Sequence, residues 1–364
     1  MNQHLHTAAV AREFQFDGEF ISILPYGSGH INDTYCANFQ RAGIQSRFIL
    51  QRINTIIFKN PAALMENIER ITKHLAAKLQ DEPDSARRVL SLIRNRDGRA
   101  LHSDADGSHW RAYRFIEKAS SFDAIENTQQ AYQAAKAFGR FQQMLVDLPT
   151  PRLHDTIPRF HDTPKRFSAF EHALEVDAAN RALSAEPEIA FALAHKPIVG
   201  VLLNANLPER VTHNDTKINN VLLDDETGEG LCVIDLDTAM PGLALYDFGD
   251  MVRTATSPAM EDERDLSKVE VRFPMFEALL RGYLSSAGGF LTKPEKQHLA
   301  FAGKLIAFEQ GIRFLSDYLA GDTYYKVQRE GHNLDRCRTQ FKLVESIEQQ
   351  EEEMDRLVSK LAGV

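Results

Sequence analysis

The chain of 364 residues is 43% hydrophobic and 26% charged, an ordinary globular composition at a length that suits about two domains. Forty-two Lys and Arg against 51 Asp and Glu leave a net charge of −9, so no basic field is present to draw in a nucleic-acid backbone, and chemistry on a small molecule is expected. Cys36, Cys232 and Cys337 lie far apart without CxxC or Cys/His spacing, which suggests neither a disulfide framework nor a zinc site but three buried or idle thiols.

The chain begins MNQHLHTAAV, with no cationic start followed by an apolar run, and the best apolar stretch, Ile189 to Leu207, is broken by His195, Lys196 and Pro197. A soluble cytoplasmic protein without a membrane partner is expected. Residues 20–53 are rich in β-branched and aromatic residues punctuated by glycine and read as three antiparallel strands. After Asn60, Pro61 opens a helix with Leu64, Ile68, Ile71 and Leu75 on one face. RRVLSLIRN and SHWRAYRFIE read as two more strands around the turn DGRALHSDADG, giving an N-terminal lobe over 1–117 of five antiparallel strands and a helix.

From Lys118 the pattern is mainly helical, which makes residues 118–364 a larger C-terminal lobe and the whole an α+β chain of two lobes, divided near Lys118 to Phe122. Asp162, Thr163 and Pro164 form a helix start. Val221–Leu223 and Leu231–Ile234 are short apolar runs joined by a glycine turn and read as a hairpin. The run Glu261-Asp262-Glu263-Arg264-Asp265 reads alone as a solvated helix start, and EQQEEEMDRLVSKL near the end as a solvated helix. No heptad run or apolar stripe demands a partner, so a monomer is expected.

The densest group of acidic and amide side chains on loops is His213-Asn214-Asp215, Asn220, Asp235 and Asp237. Phosphoryl transfer from a nucleotide needs a carboxylate to orient or deprotonate the attacking hydroxyl and further oxygens for the Mg²⁺ that neutralises the phosphates. Asp215 fits the first role, and Asn220 and Asp235 fit the second; Asp237 either assists or orders the loop. Gly27-Ser28-Gly29 between two strands would let the backbone approach ATP phosphates. A strand rather than a helix follows, so no dinucleotide fingerprint is present, and there is no GxxxxGK[ST] element.

His213 to Asn220 and Ile234-Asp235 resemble the catalytic and metal motifs of the aminoglycoside phosphotransferase and choline kinase group, within the protein-kinase-like fold. More narrowly, VTHNDTKINNVL, VIDLDTAMPGLALYDFGD, EDERDLSKV and RFLSDYLAGDTYY resemble the bacterial N-acetylhexosamine 1-kinases, over about Pro25 to Val344. The resemblance implies an ATP- and Mg²⁺-dependent transfer to the anomeric hydroxyl of an N-acetylhexosamine. It implies a sugar pocket of His30, Asp215, Arg313 and Tyr324, and a hinge at Arg114 to Glu117 in which the backbone of Ile116 and Glu117 meets adenine. One departure is plain: the third strand carries Gln51 where such kinases place a cation for the phosphates, with Arg52 on the opposite face; Gln51 is expected to bind the nucleotide by donating an uncharged hydrogen bond to a phosphate oxygen. Glu66 and Glu69 on the next helix are the candidates for that cation's usual partner.

Three other readings stand beside this one. The same chemistry would serve another hydroxyl acceptor, such as a hexose, aminoglycoside or amino alcohol. The missing cation would also suit a nucleotide-binding module with little transfer activity, although such a module has no need of Asp215. HxD and DxD occur in metal-dependent hydrolases as well, against which histidine is scarce near Asp235.

Overall fold

The computed structural model describes residues 3–27 and 31–364, so Ser28 and Gly29 of the expected phosphate loop and the expected sugar contact His30 lie outside the described residues. The chain opens with α1 (Gln3–Ala11), a helix that no sequence pattern had signalled. It lays Ala8, Val10 and Ala11 onto a small core with Phe14, Phe39, Phe48 and Trp110. β1 (Glu19–Pro25), β2 (Asp33–Arg41) and β3 (Ile44–Arg52) follow as the expected antiparallel strands. The two-residue turn between β2 and β3 places Ala42 and Gly43 at φ 50° and 82°, the left-handed pair that suits the twist of a hairpin.

α2 (Pro61–Leu79) begins where expected, with Asn60 Oδ1 accepting from Ala63 N at 3.1 Å, and it buries Leu64, Ile68, Ile71 and Leu75. β4 (Leu92–Ile93), β5 (His102–Ser103) and β6 (His109–Arg114) complete a sheet of order β1-β2-β3-β6-β4, with β5 also on β6. Six strands thus stand where five were expected. RRVLSLIRN yields only two strand residues because Asn95 Oδ1 accepts from Asp97 N and Arg99 N at 3.1 and 2.8 Å and turns the chain at once. β5 lies inside the expected turn, held to β6 by the loop that Asp104 Oδ1 closes on Asp106 N and Ser108 N at 3.0 and 2.8 Å.

The remainder is helical around two small sheets. β7 (Ala119–Ser120), just past the expected division, is followed by α3 (Thr128–Leu145), α4 (Thr163–Val176), α5 (Glu186–Ala194) and α6 (Val201–Asn204). β8 (Arg210–Thr212), β9 (Val221–Asp224), β10 (Gly230–Val233) and β11 (Met240–Gly242) come next, then α7 (Ala244–Ala255), α8 (Phe273–Ala287), α9 (Lys293–Gln297), α10 (Leu299–Leu319) and α11 (His332–Ala362). β9 and β10 are the expected hairpin, extended by β7, and β8 pairs with β11.

α3 and α8 come together closely through small residues: a Cβ at Gly282 would strike the Tyr132 carbonyl, and one at Gly139 the Tyr283 carbonyl. The main core unites Phe138, Phe248, Phe276, Phe308 and Phe341. A second core joins the two regions, since Ile68, Ile71 and Leu75 of α2 pack with Phe141 and Leu145 of α3 and with Leu236 and Ala239.

Two expectations are corrected. Glu261 to Asp265 is a loop leading into a short turn, not a solvated helix start: Asp262 Oδ2 takes bonds from Arg329 and His332 at 3.0 Å each, and Glu261 takes one from Arg253 at 3.1 Å. The C-terminal stretch is helical as expected but not wholly solvated, because Met354 and Val358 of α11 are buried. All three cysteines are free and buried. Among the described residues no helix is long and apolar enough to cross a membrane.

Candidate active site

The loop after β8 is held from below by two carboxylates on one side of α7. Asp247 Oδ2 accepts from His213 N at 2.9 Å and from Gln142 Nε2 at 2.6 Å, while its Oδ1 accepts from Asn214 N at 2.7 Å. Three residues on, Asp250 Oδ2 accepts from Thr216 N at 2.8 Å. Asp247 lies in the first turn of α7, where the helix dipole favours an anion, although complete burial pushes its pKa up. His213 is enclosed between the edges of Phe138 and Phe141, and its Nε2 donates to the Ile234 carbonyl at 2.8 Å. That fixes Nδ1 as the acceptor for Asp215 N at 3.3 Å, so His213 is a structural support rather than a reacting group.

Asp215 itself stands between two donors. Lys217 Nζ lies 3.0 Å from Oδ1, and Asn220 Nδ2 donates to Oδ2 at 3.1 Å and to the Asp215 carbonyl at 2.8 Å. Burial pushes the Asp215 carboxyl up, but the Lys217 ammonium, helped by the Arg253 charge, more than offsets this and holds it below the usual range. Asp215 is therefore an ionised carboxylate of fixed orientation. Lys217 escaped the sequence reading although it sits inside the motif; the signal was a cation two positions from the carboxylate, on a loop too irregular for periodicity to assign it a direction.

Ile234 N donates to the Asn220 carbonyl at 2.9 Å, joining the two loops that carry the expected metal ligands. Asp235 takes a left-handed backbone at φ 57° and leaves its side chain open to solvent. Surrounding protein, together with the charges of Asp237 and Asp215, pushes its pKa up to about 6. No three His, Cys, Asp or Glu side chains among the described residues are grouped so as to hold a metal ion. The amide oxygen of Asn220 and the open carboxylate of Asp235 are nonetheless hard oxygen donors on linked loops, a set that fits Mg²⁺, which keeps most of its ligands as water and phosphate. Asp237 is different: it is buried, paired with Arg111 and bonded by Asn32 Nδ2 at 2.7 Å.

On the small sheet, Gly27 follows β1 at φ 79°, a conformation that glycine supplies without strain. Gln51, the expected donor to a phosphate, has its amide engaged within the sheet, its Nε2 donating to Thr34 Oγ1 and its Oε1 accepting from Arg111 Nε, both at 3.0 Å. Arg52 turns to the opposite face and pairs with Asp33. Glu69 pairs with Arg94, and Glu66 accepts from His154 Nε2 at 2.9 Å, so neither meets Gln51 or Arg111. In the hinge, Ile116 is buried beside Leu231 and Cys232. Glu117 pairs with Arg47, and its carbonyl accepts from Arg87 Nε at 3.0 Å, while Arg114 N and Phe115 N donate to the Ser91 and Arg47 carbonyls at 2.9 and 3.2 Å.

The expected sugar residues of the C-terminal region lie at the far end of α10. Arg313 Nη1 donates to Gln310 Oε1 at 3.0 Å, and its guanidinium lies 5.3 Å from the Phe160 ring centroid and 5.9 Å from that of Tyr325. It does not pair with Glu309, whose oxygens take His161 Nδ1 at 2.8 Å and Thr163 Oγ1 at 2.6 Å. Arg166 joins it by donating to the Phe160 carbonyl at 3.0 and 3.2 Å, and burial with the nearby Arg313 charge lowers its pKa. Tyr324 is 62% exposed on a loop whose amides at Thr323, Tyr324 and Tyr325 all donate to Asp317. His161 links this end to the Asp215 loop, its Nε2 lying 3.3 Å from the Asn214 carbonyl.

The fold is shared with solved kinases. A spectinomycin phosphotransferase solved with ADP and spectinomycin aligns over 100% of this chain and 98% of its own, with a TM-score of 0.57 at 13% identity. An aminoglycoside phosphotransferase from Alicyclobacillus acidocaldarius aligns over 98% and 96%, with 0.59 at 11%. A choline kinase from Cryptosporidium parvum aligns over 99% and 98%, with 0.52 at 13%. At such identities the likeness concerns the kinase-like fold, an antiparallel sheet followed by a helical region. Residues 22–270, which span the sheet, the Asp215 loop and the Asp235 loop, match the family described as "Phosphotransferase enzyme family". With more than half of its length inside that match, the chain belongs to the phosphotransferase enzyme family.

Proposed function

We propose that this phosphotransferase transfers the terminal phosphoryl group of ATP to the anomeric hydroxyl of an N-acetylhexosamine, giving a sugar 1-phosphate and ADP. Residues 1–117 form the nucleotide lobe and 118–364 the catalytic and acceptor lobe. Asp215, ionised and oriented by Lys217 and Asn220, takes the hydrogen bond of the attacking hydroxyl and receives its proton as the bond to phosphorus forms. Asn220 and Asp235 hold Mg²⁺, which when bound neutralises charge on the transferring phosphates. The backbone after Gly27 cradles the phosphates, Ile116 and Glu117 border the adenine, and Arg313 and Tyr324 contact the sugar together with His30.

One observation supports a neutral sugar over an amine. Arg166 and Arg313 share Phe160 and have no carboxylate within ion-pair distance among the described residues, while Glu309 and Glu261 are both engaged elsewhere. At the Arg166 and Arg313 end a cationic acceptor would meet two like charges, with Glu309 and Glu261 already engaged, whereas hydroxyl and acetamido oxygens accept from guanidinium donors. The test is ADP release with ATP and Mg²⁺ across N-acetylhexosamines, plain hexoses, choline and aminoglycosides, with phosphorus NMR of the product and Asp215→Asn as the blank. Turnover on an N-acetylhexosamine yielding an anomeric phosphate supports the reading. Turnover confined to an amine refutes the acceptor.

A further inference from the structure

The cation missing from β3 has a counterpart one strand away. Arg111 on β6 lies opposite Gln51 of β3 in the antiparallel register. Its Nε donates to Gln51 Oε1 at 3.0 Å and its Nη1 to Asp237 Oδ1. Both charged side chains are enclosed, with 1% of Arg111 and 4% of Asp237 exposed. The second oxygen of Asp237 accepts from Asn32 Nδ2 at 2.7 Å, and Asn32 Oδ1 accepts from Asn54 N at 3.0 Å. One carboxylate of the Asp235 loop is thus gripped by β6 and by the segment that leads from the phosphate loop into β2. Apolar side chains of similar volume would hold such a joint without the cost of desolvating two ions. The charges point to the electrostatics of the neighbouring site, where Asp215, Asp235 and Asp237 would otherwise set three carboxylates against a nucleotide's phosphates.

We propose that Arg111 is the relocated cation of the nucleotide site: a positioning residue that cancels the charge of Asp237, withholds that carboxylate from the metal, and fixes the Asp235 loop against Gln51 and the phosphate-loop strand. The contrast between the two aspartates supports this, since Asp235 is open to solvent while both oxygens of Asp237 are taken. The inference rests on phosphoryl transfer from a nucleotide, and not on the identity of the acceptor.

The experiment measures ADP affinity by calorimetry in EDTA, where neither metal nor acceptor takes part, and separately the Mg²⁺ midpoint of nucleotide binding. Arg111→Met uncovers Asp237 and weakens metal-free ADP binding about tenfold, because the unpaired carboxylate repels the phosphates and the loop loses its anchor. Adding Asp237→Asn recovers most of that loss, as expected of two coupled charges. Asp237→Asn alone leaves the Mg²⁺ midpoint within about threefold, whereas Asp235→Asn moves it about tenfold or more. If Arg111→Met does not fold, the double variant is compared with Asp237→Asn, which retains the Arg111 charge and binds metal-free ADP about tenfold more tightly. Equal ADP affinity in that pair, unchanged affinity in Arg111→Met, or a Mg²⁺ midpoint moved as far by Asp237→Asn as by Asp235→Asn overturns the proposal. A failed sugar assay with these ADP results intact would reject the acceptor alone.

Discussion

Replacing Asp247 by Asn tests whether the catalytic loop is built on a buried carboxylate. The native group accepts three bonds, from His213 N, Asn214 N and Gln142 Nε2, at 2.9, 2.7 and 2.6 Å. Hydrogen bonds to a charged group contribute about 1.5–3 kcal/mol each, and a buried donor left without a partner costs about 1–3 kcal/mol. An asparagine keeps one acceptor oxygen and turns an NH₂ toward at least one donor. The smallest loss is therefore one charged bond plus one unsatisfied donor, about 2.5–6 kcal/mol by the same scale. Relief from burying an ion, evident in the raised pKa of Asp247, offsets part of this and brings the expected loss to about 2–4 kcal/mol. Urea unfolding should show a lower midpoint at unchanged slope. Because His213 N and Asn214 N set the position of Asp215, turnover should fall about a hundredfold, the effect of moving a reacting group by about 1 Å. A variant within about 0.5 kcal/mol of the wild type and fully active would refute the reasoning, since that margin is typical of surface changes without structural consequence.

The other predictions are simpler. Asp215→Asn and Asp215→Ala should each lower turnover by orders of magnitude with little change in ADP affinity; equal turnover by either variant removes the base assignment. Asp235 is raised in the folded protein, so its stabilising contribution is full below the unfolded value of 3.8 and is lost as pH rises through about 6. Metal-free wild type should therefore lose stability between pH 4 and 7 relative to Asp235→Asn, and parallel urea midpoints for the two would contradict the assignment. The thiols of Cys36, Cys232 and Cys337 are buried and their pKa values raised, that of Cys232 to about 12. A disulfide reagent should find none of them in the native protein and all 3 after unfolding. Rapid labelling of the folded protein would show that a thiol is open.

Periodicity served well where a single face decides burial. The i, i+3, i+4 spacing in α2 and the alternation in β2 and β3 are local signals, and the structure places those elements where the spacing does. It failed where a polar side chain redirected the backbone. Asn95 and Asp104 each fold a loop onto themselves, and neither the shortening of β4 nor the presence of β5 leaves an apolar trace. The site divides in the same way. Asp215, Asn220 and Asp235 stood out as candidates because their spacing within two loops is short and chemically specific, and the structure joins those loops. Arg111 and Asn32 were not, because they meet Asp237 from 126 and 205 residues away, and only the register of β3 with β6 reveals the first. Lys217 and Asp247 lay within quoted motifs, yet their roles depend on directions that a loop and a helix end do not encode in spacing.

The carboxylate of Asp317 has a consequence for how such a chain can change over evolution. It accepts from the amides of Thr323, Tyr324 and Tyr325 and from Asn333 Nδ2, all at 2.8–2.9 Å. The path of the main chain at Tyr324 is therefore set by one residue inside α10, with Asp322 and Tyr325 anchoring the loop on either side, and not by the exposed ring of Tyr324 itself. That ring is free to be exchanged without redrawing the loop. Selection can act on the presented surface as on a replaceable cassette, while the machinery around Asp215 stays untouched.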